Sequence, residues 1–88
     1  MAVMKYYWKK DSFGDNDEIV ARSYKTQQGF IFEKGKAFEK RNPVSNLRGF
    51  CANSITQCAT VAEVIAEERR LRQQYRNAEV YVTEETYR

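Results

Sequence analysis

Histidine is absent from this 88-residue chain. The commonest general base, metal ligand and triad member is therefore missing, which excludes Ser–His and Cys–His nucleophilic mechanisms. Cysteine is scarce: Cys51 and Cys58 are the only two, spaced C-x6-C, too few to complete a tetrahedral zinc site within one chain. They read as small buried hydrophobes, with a redox role, or a bridge across a folded-back loop, as the alternative. The four glycines are dispersed and form neither GxxxxGK[ST] nor GxGxxG, so no phosphate-cradling loop is present. The single proline, Pro43, follows Asn42 and marks a break. No apolar run approaches the roughly 18 residues of a membrane span, and the N-terminus is not signal-like. The expectation is a soluble, cytoplasmic chain with reduced thiols. Internal repeats, low-complexity tracts and linkers are also lacking.

What is present argues for a folded chain. Hydrophobic residues make up 42% and aromatics 14%, whereas disordered sequences are poor in aromatics. The length suits one modest core, hence a single domain over 1–88. Net charge is +3, too mild to imply nucleic acid by itself. Its distribution says more: residues 1–50 carry ten Lys or Arg against six Asp or Glu, and residues 51–88 carry five against six. The excess concentrates in 34–48, where Lys34, Lys36, Lys40, Arg41 and Arg48 face only Glu39.

The strongest local signal lies at 60–76, TVAEVIAEERRLRQQYR, which reads as one amphipathic helix. Thr60 and Glu63 form a T-x-x-E capping box. Val61, Val64, Ile65, Leu71 and Tyr75 fall on one stripe at 3.6 residues per turn. Early glutamates and late arginines suit the helix dipole, and Asn77 is a candidate stop. Glu68 and Arg72, spaced i,i+4, project near the middle of the stripe and are expected to snorkel outwards from its edge, the alternative being a partly buried ion pair or a partner-binding charge. Before the helix, Val3–Lys10 alternates, with Met4, Tyr6 and Trp8 as the core face and Lys5, Tyr7 and Lys9 opposite. Asp11–Asp17 is a polar turn. Strands are expected over Glu18–Tyr24 and Phe30–Lys34, and a last one over Ala78–Thr83. Between 35 and 53 the pattern is irregular, with Leu47, Phe50 and Ile55 as core anchors. The fold class is α+β: a mostly antiparallel sheet of four to five strands with one long helix packed on one face.

Function is less legible. The acidic turn Asp11, Asp15, Asp17 and Glu18 lacks EF-hand spacing, so no metal or cofactor is expected. Nothing sets two carboxylates opposite each other, and the chain is read as a non-enzyme. The expected function is protein–protein interaction, consistent with a surplus of Tyr and Arg. One biological form is a small phage or mobile-element inhibitor of a host defence or nucleoprotein complex. The alternative is a nucleic-acid-binding domain using 34–48, where cations meet aromatics that can stack on bases. Either reading names Lys34, Lys36, Phe38, Lys40, Arg41 and Arg48 as the binding residues. Homodimerisation through an edge strand or the helix is compatible with both.

Overall fold

A computed structural model describes residues 2–10, 17–37 and 50–87. The elements are β1 (Ala2–Lys9), β2 (Glu18–Thr26), β3 (Gly29–Ala37), β4 (Phe50–Cys58), α1 (Val61–Gln74) and β5 (Val80–Tyr87). They form a five-stranded antiparallel sheet in the order β4-β3-β2-β1-β5, with α1 packed on one face. The expected α+β architecture is present. β1 to β4 run as a meander, and α1 then carries the chain back so that β5 pairs with β1.

The β2–β3 connection is a two-residue turn at Gln27-Gln28, where Thr26 Oγ1 accepts from the Gln28 amide at 3.2 Å. Gly29, which follows, has φ +129°, and a Cβ there would meet the Cys58 carbonyl oxygen at 2.4 Å. Both facts demand glycine. A bulge matters more for the core. Tyr7 pairs with Ala21 and Trp8 with Ile19, leaving Val20 as an extra residue on β2. Val20 and Ala21, although adjacent, therefore both enter the core beneath α1.

Two apolar clusters result. Between α1 and the sheet lie Tyr7, Val20, Ala21, Phe32 and Cys58, with Val64 and Leu71 from the helix itself. The other contains Met4, Tyr6, Trp8 and Ile19, with Tyr24, Phe50 and Tyr81 against them. Met4, Tyr6 and Trp8 are buried as expected, but they do not face the helix. Tyr7, expected on the outer face, is fully buried beneath α1. β1 thus buries side chains on both faces, Tyr7 beneath α1 and Met4, Tyr6 and Trp8 on the other.

α1 starts as expected: Thr60 Oγ1 accepts from the Glu63 amide at 3.3 Å, while Glu63 Oε1 accepts from Ala59 N at 3.1 Å, one residue before the donor expected of a capping box. It ends at Gln74, and the Tyr75 amide donates to the Leu71 carbonyl at 3.1 Å. Its buried line is Val64, Glu67 and Leu71. Val61 and Ile65, expected to be buried, are 58% and 42% exposed. The helix is rotated so that a glutamate, rather than these two aliphatics, meets the sheet. Three further expectations are corrected. Phe50–Cys58 is a full strand, within which Ile55 is 64% exposed instead of anchoring the core. β5 runs on to Tyr87, whose backbone pairs with Ala2. Glu68 is half-buried, although Arg72 is exposed.

Candidate functional site

The two flanks of α1 meet different chemistry. On one, Glu67 reaches Lys34 on β3, Oε1 to Nζ at 3.2 Å, and its other oxygen accepts from Arg70. Glu67 is only 8% exposed, so two cations beside it offset the loss of its hydration. Near the midline, the Tyr7 hydroxyl lies 3.2 Å from Ser23 Oγ and donates to Glu68. Burial, and then the Glu68 carboxylate, hold the Tyr7 phenol well above its ordinary range. Tyr7 thus stays protonated and ties the helix to the sheet centre.

The opposite flank carries Val61 and Ile65, spaced i,i+4 and therefore on one side of the helix. Val61 faces Val3, itself 44% exposed, across a cavity of about 160 Å³. Val3, Phe30, Val61 and Val64 supply its apolar wall, and Lys5, Ser23, Tyr24 and Lys25 complete the lining. Among the described residues no carboxylate lines it. The arrangement is an apolar slot of side-chain size with a positive border.

The basic segment is placed only in part. Lys34 and Lys36 share a polar groove of about 390 Å³ with Asn53, Ser54 and Gln74. Lys36 is exposed there, whereas Lys34 is engaged with Glu67. Phe38, Lys40, Arg41 and Arg48 lie outside the described residues, as do Leu47 and positions 11–16 of the acidic turn.

The face away from the helix is held by polar contacts between apolar ones. Arg22 Nε donates to Glu33 Oε1 at 2.6 Å, and Tyr24 donates to Glu33 Oε2 at 2.8 Å. The Arg22 guanidinium sits 4.9 Å from the Phe50 ring centroid. Trp8 Nε1 donates to Thr83 Oγ1 at 2.8 Å, and Tyr81 stacks parallel to Trp8 at 6.2 Å. Tyr81 also donates to Asp17, and burial followed by that carboxylate pushes its pKa up to about 12.

Cys58 is buried, as expected, whereas Cys51, expected to be buried too, is exposed on the outer strand; both are free thiols. Burial, then the nearby Glu67, raises the Cys58 pKa, which disfavours the reactive thiolate. Among the described residues no group of three or more His, Cys, Asp or Glu could hold a metal ion, and no helix is long and apolar enough to cross a membrane. No protein-family model, curated protein or solved structure matches the chain.

Sequence reasoning passed over the slot. Val3, Val61 and Val64 were legible as apolar, but only the rotation of α1 shows that Val61 and Val3 border an opening.

Proposed function

We propose that the protein is a protein-interaction module that receives an apolar side chain of its partner in the slot between α1 and β1. The observation that carries this is the combination of Val3, Val61 and Ile65 left in water on one flank with a lysine-bordered opening beside them. An opening of this volume suits one large side chain, and buried anchors of that kind dominate interface energetics. Lys5 and Lys25, with no carboxylate among the described lining residues, favour a partner whose anchor is flanked by Asp or Glu. An inhibitor that acts by occupying a partner's surface needs only such a rigid patch. The phosphate-binding alternative has less support, because Glu67 already neutralises Lys34.

Panning a displayed library of random short segments on the immobilised protein tests this reading. Enriched binders should carry an aromatic or aliphatic anchor next to acidic residues. Amide shifts on adding a selected segment should cluster at Val3, Lys5, Phe30 and Val61. Absence of enrichment, or shifts centred on Lys36 and Asn53, would contradict it.

A further inference from the structure

We infer that β4 is a self-pairing edge, and that two copies of the chain associate through antiparallel β4–β4 addition about a two-fold axis. This rests on the strand alone and is independent of the slot. β4 is the outer strand of the sheet and spans nine residues. Its sequence, FCANSITQC, contains no Lys, Arg, Asp, Glu or Pro, the residues that natural sheets place on open edges to prevent pairing.

One protective device is present, the bulge opposite Lys34 and Gly35 that leaves Asn53 as an extra residue. It lies in the first half of the strand. Ser54–Cys58 remains a regular run paired to Phe30–Lys34, and among the described residues no strand pairs with its outer side. Ile55 stands in that run at 64% exposure, a β-branched side chain suited to a pleated, half-buried surface.

A second copy is the occupant that the strand's composition favours. Antiparallel self-pairing brings each residue opposite a neutral one, so no like charges meet, and a register centred on Ile55 sets the two Ile55 side chains against each other. The opposite edge behaves differently. β5 carries Glu84 and Glu85, and pairing it with its own copy would oppose carboxylates. A two-fold β4 contact also closes, leaving the charged β5 edges outermost in the extended sheet.

The test is sedimentation equilibrium of the full chain in reducing buffer, which keeps the exposed Cys51 from cross-linking. A reversible dimer of the 10.4 kDa chain is expected. Ile55→Lys should weaken dimerisation about a hundred-fold, the equivalent of roughly 2.7 kcal/mol, while Ile55→Val retains it. Circular dichroism of both variants should match the parent, since Ile55 lies at the surface of the single chain. Hydrogen exchange supplies a second readout: every other amide over 51–57 should gain protection as concentration rises. A chain that stays monomeric with those amides unprotected, or a dimer indifferent to Ile55→Lys, would overturn the inference.

Discussion

The two flanks of α1 differ in how they settle their debts to water. Toward β3, a buried carboxylate is matched by Lys34 and Arg70, and the charge is neutralised within the chain. Toward β1, Val61 and Ile65 stay largely exposed beside a slot that nothing in the described chain fills. Scattered surface aliphatics are ordinary, but Val61 lines an opening and Ile65 shares its side of the helix. The difference separates a stabilising flank from an available one. It yields variants whose effects on stability and on binding should part company.

The largest effect is expected at the line between the flanks. Val64 is 6% exposed within the apolar cluster between α1 and the sheet, and Val64→Asp would bury a carboxylate among apolar side chains. The variant should be unfolded at 25 °C by circular dichroism. A folded Val64→Asp protein would break the assignment of the helix face.

Next comes the paired flank. Lys34→Met leaves Glu67 with Arg70 alone and should cost about 1–3 kcal/mol in urea denaturation, near the value of hydrogen bonds to charged groups. An unchanged midpoint would show that the pair contributes nothing to the fold.

A smaller effect concerns alkaline pH and the face away from α1. Tyr81 has a pKa raised to about 12, above its ordinary 10. A group raised on folding contributes stability that is fully present below the unfolded value and is lost as pH rises through the folded one. Stability should fall between about pH 10 and 12, and the fall should be shallower in Tyr81→Phe. Equal slopes would remove Tyr81 from that limb. Tyr7, raised further, extends the same trend to higher pH.

The smallest effect on stability belongs to the open flank. Val61→Gln combined with Ile65→Gln should shift unfolding by no more than about 0.5 kcal/mol, as exposed positions do. A large loss would mean that these residues belong to the core after all.

Much of the fold was legible because its signals are local. The T-x-x-E box placed the start of α1, and alternation placed β1, β2 and β3. Tyr7 was assigned to the wrong face because Lys5 and Lys9 make its side of β1 look polar. β1 proves to be interior, and Lys9 places its ammonium 5.6 Å from the Tyr75 ring centroid. β4 was missed for a different reason. The bulge at Asn53 interrupts its period, and an outer strand with five exposed positions from Cys51 to Gln57 carries little hydrophobic alternation to read. Glu67 was beyond a helical projection, since its burial depends on a lysine more than thirty positions earlier that the sheet brings beneath the helix. The slot was hidden by the same rotation. Lys34 and Lys36 were identified from sequence and do share a groove, but the ion pair that occupies Lys34 was not foreseeable from charge density alone.

The most direct test of the contrast between flanks is calorimetric titration of a panned segment into three proteins: the parent, the Val61→Gln, Ile65→Gln variant and the Lys36→Gln variant. The account predicts that the first variant loses about thirty-fold or more in affinity, the scale of a hot-spot residue, while Lys36→Gln binds like the parent. Undiminished binding by the helix-flank variant, or a loss confined to Lys36→Gln, would contradict it.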